Sequence, residues 1–146
     1  MSDTGQGDAT QGQVAKRPKL AVGIDFVEVD DVQAAVARFG DRYLRRVFTA
    51  HELSCSSREG HVQARHLAAR FAAKEAAMKA LRPSERLPAW RSIEVRQEES
   101  GRYTLALSDH AAELQRRTCL NEFTVSLSLK GNLAAAVVLA LGRSDP

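Results

Sequence analysis

Apolar and polar positions fall into short blocks separated by turn-forming residues. Leu20–Val29 (LAVGIDFVEV) is β-branched and mostly apolar and predicts a strand, interrupted by two carboxylates at Asp25 and Glu28. Asp30 and Asp31 follow where helix-starting acids belong. Val32, Ala35, Val36 and Phe39 then recur at helical spacing until Gly40, which predicts a short helix. Asp41–Val47 continues helically, and Thr49-Ala50-His51-Glu52 has the spacing of a capping box opening a brief turn before a loop at Ser54–Ser57. His61–Leu81 is rich in alanine and long straight side chains and holds no Gly or Pro, so one long helix is expected there, ended by Pro83. Ile93–Gln97 and Tyr103–Leu107 alternate around Glu98–Gly101 as a hairpin. A helix capped at Ser108 or Asp109 runs to about Thr118, and Phe123–Leu129 and Leu133–Leu141 pair around Lys130-Gly131-Asn132. Strands first and last with helices between predict an α+β fold, a mainly antiparallel sheet packed against a long helix.

Length narrows this to one core: 146 residues, 44% hydrophobic and 27% charged, suit a single domain. Residues 1–19 hold almost nothing apolar and are expected to form a disordered tail, leaving 20–142 as the domain. The longest apolar run, Leu133–Leu141, is nine residues, against about 20 for a membrane span. With no apolar signal core near the N-terminus, a cytoplasmic protein without a membrane is expected. A net charge of +3 and few aromatics give no basic stripe for nucleic acid. Arg42, Arg45 and Arg46 form a basic cluster that suits an acidic protein, a phosphate or simply a solvated helix surface. Cys55 and Cys119 lack any C-x-x-C spacing, so neither a disulfide framework nor a zinc site is suggested and both read as inert thiols.

The chemistry concentrates at two places. On the long helix, Leu67, Phe71 and Met78 define an apolar stripe, and Glu75 projects about 40° from it by the 3.6-residue period. Lys79 lies one turn further on, so spacing alone favours a plain i,i+4 ion pair with Glu75 over a functional role. In the first strand Asp25 lies among residues that read as buried on both faces, where an ionised carboxylate is costly unless paired or bound to metal. Two carboxylates from different elements, with a lysine beside one, suit a hard divalent ion holding a phosphate.

These same residues carry a family resemblance. Gly23-Ile24-Asp25-Phe26-Val27-Glu28-Val29 resembles the G-x-D-φ-V-E-φ opening (φ apolar) of holo-acyl-carrier-protein synthases. Arg70-Phe71-Ala72-Ala73-Lys74-Glu75-Ala76-Ala77-Met78-Lys79-Ala80-Leu81 resembles their R-F-A-A-K-E-A-x-x-K-A-L helix. Trp90–Val95 is similar to their W-x-D-I-E-V strand, and Val125-Ser126-Leu127-Ser128 to their V-S-φ-S strand. The resemblance implies the 4′-phosphopantetheinyl transferase fold and a reaction. A serine of an acyl or peptidyl carrier protein attacks the β-phosphate of coenzyme A, takes phosphopantetheine and releases adenosine 3′,5′-bisphosphate. It further implies that Asp25 and Glu75 bind Mg²⁺, that Asp25, Glu75 and Lys79 are the catalytic residues, and that Lys79, Arg70, Lys74 and Ser126 contact coenzyme A. A homotrimer with active sites between subunits is implied too. The chain departs from the pattern at Asp31, where the family carries an arginine that touches the carrier, and at Leu129, where it carries a histidine near the coenzyme A phosphates. The glycine-rich turn after K-A-L is replaced by Arg82-Pro83-Ser84-Glu85-Arg86. Three readings stay open: an active transferase dedicated to one carrier, as in secondary metabolism; a catalytically impaired relative that binds coenzyme A or a carrier as an interaction subunit; and a different reaction on a carrier-bound or coenzyme A thioester with Asp25 or Glu75 as acid or base.

Overall fold

The computed structural model describes residues 19–142; the tail expected over residues 1–19 lies outside that range except for Lys19, which begins the first strand. The chain runs β1 (Lys19–Glu28), α1 (Val29–Phe39), α2 (Asp41–Val47), α3 (Ala50–Cys55), β2 (Ser57–Arg58), β3 (His61–Val62) and α4 (Ala64–Leu81). A 3₁₀ turn at Trp90–Ser92 leads into β4 (Ile93–Gln97), β5 (Tyr103–Leu107), α5 (Asp109–Thr118), β6 (Glu122–Lys130) and β7 (Leu133–Gly142). Five strands form an antiparallel sheet in the order β1-β7-β6-β5-β4, so the first and last strands lie side by side. The α+β class and the sheet against a long helix are as expected.

Alternation decides which face of β1 is buried. Ala21, Gly23, Asp25 and Val27 point toward α4, while Leu20, Val22, Ile24 and Phe26 point away and are exposed. The reading of this strand as buried on both faces is therefore corrected: β1 is an edge strand with one face open in the single chain. Gly23 sets how closely α4 approaches. A Cβ there would lie 1.7 Å from the Ala76 carbonyl oxygen, so only glycine lets the helix backbone rest against the strand.

Helix α4 crosses the inner face of β1 and β7 and is buried almost all round, through Leu67, Met78, Leu81 and a set of alanines. Between Leu67 and Leu81 only Phe71, Glu75 and Lys79 escape full burial. Their spacing of four makes one narrow open stripe. Phe71 thus shares the face of Glu75 and packs at a tilt against Trp90, with ring centroids 5.2 Å apart, rather than marking the core seam.

The long helix also starts later than its composition predicts. His61–Val62 pairs with Ser57–Arg58 around Glu59 and Gly60, both with positive φ. That is the geometry of a two-residue hairpin turn whose twist suits paired strands. Thr49 and Glu52 form the expected capping box. Helix α1 begins at Val29 with Glu28 at its N-cap position and no side-chain cap. Among the described residues no helix is long and apolar enough to cross a membrane.

Candidate active site

Asp25 is placed by the inward half of β1 and Lys79 by the open stripe of α4. Lys79 Nζ donates to Asp25 Oδ1 at 3.0 Å and to the Ile24 carbonyl at 2.9 Å. The i,i+4 pairing of Lys79 with Glu75 is therefore not the contact formed: the lysine reaches across to the strand. Asp25 Oδ2 is buried and has no hydrogen-bond partner. Glu75, one turn before Lys79, faces the same carboxylate. Its pKa is pushed up to about 7, first by burial, then by hydrogen-bonding contact with Asp25 and the charge of Asp25, against the opposing pull of Lys79. Two carboxylates have no donor between them until one takes a proton, and Lys79 is one cation against two acids.

That deficit is the test of whether a divalent ion fits. A buried carboxylate oxygen with nothing to bind, facing a second carboxylate, suits a hard cation that takes one or two protein oxygens and completes its shell with water and phosphate. Among the described residues no group of three or more His, Cys, Asp or Glu side chains is placed to hold a metal ion. Two acids are what this site offers.

Glu75 also borders a cleft of about 470 Å³ together with Glu28, Asp31, Tyr43 and Phe71. Asp31 and Glu28 both line it. Sequence reasoning passed over Tyr43. Burial, and after it the charge of Glu75, raises its hydroxyl above the usual tyrosine range, which keeps it a donor. The clue was available: Tyr43, Leu44 and Val47 form the inward face of a helix whose remaining positions are charged.

The other expected contacts divide. Lys74 requires a correction as a ligand contact: it is fully buried, paired with Glu52 at 2.9 Å and hydrogen-bonded to the Trp90 and Ile93 carbonyls. All three ammonium donors are spent inside the core. Arg70 is 95% buried by its 5% residual exposure. It lines a second cleft, of about 240 Å³, with Cys55, His66, Gln97, Ser128 and Leu129. Its Nη1 reaches the His66 carbonyl at 3.3 Å, and its Nε is buried without a partner. Ser126 is exposed on the sheet face turned away from α4. The structure therefore unites Asp25, Glu75 and Lys79 and leaves Arg70, Lys74 and Ser126 elsewhere within this chain.

With this geometry in hand, comparison with known proteins is informative. Residues 21–138 match the ACPS family, described as the 4′-phosphopantetheinyl transferase superfamily. The holo-[acyl-carrier-protein] synthase of Herpetosiphon aurantiacus is 38% identical, covering 84% of this chain and 99% of its own. That of Moorella thermoacetica is 42% identical, covering 82% and 92%. Among solved structures, the Chronobacterium ammoniagenes ACPS–CoA complex superimposes with a TM-score of 0.72 at 29% identity, covering 86% of this chain and 99% of that one. The chain belongs to the holo-[acyl-carrier-protein] synthase family of 4′-phosphopantetheinyl transferases.

Proposed function

We propose that this transferase moves 4′-phosphopantetheine from coenzyme A to a serine of an acyl or peptidyl carrier protein, using Mg²⁺ held by Asp25 and Glu75. The observation that carries the reading is the facing carboxylate pair, with Asp25 Oδ2 buried and unpartnered beside Lys79. A solved relative is described as a complex with CoA, which supports coenzyme A as the donor. Bound there, the ion would supply Lewis-acid charge to the diphosphate.

The chain's own groups have distinct tasks in this reading. Asp25 and Glu75 hold the ion through oxygens that no protein donor occupies. The Lys79 side chain is 57% exposed; released from Asp25, it turns toward the phosphate and offsets charge on the leaving group. Arg70, with a free buried Nε in its cleft, is the remaining cationic contact for a phosphate of coenzyme A, and Ser126 contributes from the outer sheet face.

That face supports assembly as well. Leu20 and Phe26 are 66% and 59% exposed beside Val22, Ile24, Leu139 and Leu141, an apolar strip that a single chain leaves in water. A homotrimer covers it and brings Ser126 and the Arg70 cleft of one copy toward a neighbour. A cytoplasmic setting and a dedicated secondary-metabolism carrier belong to the same reading. Asp31, which lines the Glu75 cleft, repels an acidic carrier and so selects among carriers.

The experiment is incubation with Mg²⁺, coenzyme A and a panel of apo-carrier proteins, read by the mass gained on the carrier serine. Modification of one carrier supports the transferase reading. Binding of coenzyme A with every carrier unmodified favours the impaired, interaction-only relative, in which Leu129 lines the Arg70 cleft without a proton to give.

A further inference from the structure

Helix α3 presents a thiol and an imidazole that the transfer reaction does not use. Cys55 Sγ lies 3.6 Å from His51 Nε2, one helical turn apart, and Cys55 is exposed. In the tautomer that leaves Nε2 bare, the thiol donates to the ring. Glu94 lies near enough to His51 for their charges to interact. Burial alone would raise that carboxyl, but hydrogen bonds from Thr49 and Arg96 and the charges of Arg96 and His51 outweigh it and hold Glu94 below the usual range. A thiol within hydrogen-bonding reach of an imidazole is the arrangement of a nucleophile with a base beside it.

The second observation comes from the cleft that Cys55 borders. Arg70 lines it as well, nine-tenths buried, with its Nε unpartnered. Among the described residues the guanidinium charge at that wall meets no carboxylate in an ion pair and keeps one N–H unspent, which suits an anion in the cleft. His66 borders the same space.

We propose that Cys55 is a site of thiol–disulfide exchange for small disulfides carrying negatively charged groups, with Arg70 holding the anion and His51 taking the thiol proton. The thiolate sulfur attacks one sulfur of the incoming disulfide. That S–S bond breaks, a bond from Cys55 to the attacked sulfur forms, and the departing thiolate is protonated. Cys55 is oxidised and the leaving sulfur is reduced, with no other reactant. The adduct fills the Arg70 cleft, so the modification blocks whatever anion that cleft serves. The exchange does not depend on the transferase reading, because it is measured on this protein's own mass.

Cys119, exposed at the end of α5, is the internal comparison. The full chain is exposed to oxidised glutathione, coenzyme A disulfide, neutral 2-hydroxyethyl disulfide and cationic cystamine, and adducts are mapped by mass. With the anionic reagents Cys55 is expected to react about tenfold faster than Cys119, and the ratio should fall toward unity with cystamine. The faster of the two anionic reagents identifies whether carboxylate or phosphate is preferred. Inorganic phosphate, against chloride at equal ionic strength, should slow Cys55 and spare Cys119. His51→Gln should cut the Cys55 rate several-fold, and Cys55→Ser should remove the adduct. Equal rates at the two cysteines, or a Cys55 preference indifferent to reagent charge, would overturn the proposal, and the wild-type charge series decides this whether or not the variants fold.

Discussion

Lys74 and Lys79 leave the same helix little more than a turn apart, and each meets a carboxylate from another element at nearly the same distance, 2.9 Å to Glu52 and 3.0 Å to Asp25. Around Lys74 every valence is spent. Glu52 accepts from Lys74, from Val95 N and from Thr49 N, Lys74 also donates to two carbonyls, and neither side chain reaches solvent. Around Lys79 the account is open. Asp25 keeps a buried oxygen without a donor, a second carboxylate faces it, and the lysine is half in water. Distance alone does not separate a fastener from a site; unspent hydrogen-bonding capacity does. The closed pair ties α3, α4 and β4 together, and the open one is left for a ligand.

The largest expected effect breaks the open pair. Asp25→Asn keeps the shape and removes the charge, and carrier modification should fall by about 10³-fold, near 4 kcal/mol of transition-state stabilisation. Its melting temperature should hold steady, because the substitution relieves repulsion with Glu75. A melt that drops along with the activity would make Asp25 a fastener after all. Next in size is the closed pair. Lys74→Met strands Glu52 as a lone buried charge and should cost about 3–5 kcal/mol in urea denaturation. Adding Glu52→Gln, which can still accept from Val95 N, should recover part of that loss. If Lys74→Met were no less stable than wild type, the contrast between the two lysines would disappear.

Much of this contrast was legible in residue order, and the parts that were not have physical causes. Asp25 and Glu75 announced themselves as carboxylates in apolar surroundings, and the alternation of Ile93–Gln97 and Tyr103–Leu107 fixed that hairpin at its observed bounds. Along α4 the signal fades because alanine suits a buried and an exposed face equally. With six alanines among the buried positions from Ala69 to Ala80, periodicity does not reveal that Lys74 points inward while Phe71 shares the open stripe with Glu75. The ribbon before α4 was missed because its turn residues, Glu59 and Gly60, sit beside residues that also suit a helix. Only the left-handed backbone at both positions reveals the hairpin.

Gly23 sharpens the comparison from the side of the strand. The open pair exists because β1 and α4 are in backbone contact, and Gly23→Ala places a methyl where the Ala76 carbonyl stands. The helix must shift, at about 1–3 kcal/mol, and the shift carries Glu75 and Lys79 away from Asp25 while Lys74 stays anchored by its own bonds. Transfer should therefore fall more steeply than stability, measured as a larger change in single-turnover rate than in urea midpoint expressed as free energy. Equal losses would mean that the closed pair moves with the open one.

The smallest effect is a slope. Glu75 titrates near 7 in the folded chain against an ordinary value of 4.5, so between those values the native state holds more protons than the unfolded one. Stability then falls as pH rises through that window and levels off above it. Because Glu75 is partly in water, solvent screening keeps the slope shallow. Glu75→Gln cannot ionise and should flatten the difference in urea midpoint between pH 5 and pH 7.5. Saturating Mg²⁺ on the wild type should flatten it too, since a bound cation draws the folded pKa back down. Lys79→Met should steepen the contrast: without the pull of Lys79 the Glu75 carboxyl should titrate higher still, and the slope should extend beyond pH 7. A slope that survives Glu75→Gln unchanged would assign it to another group and remove the electrostatic deficit on which the open pair depends.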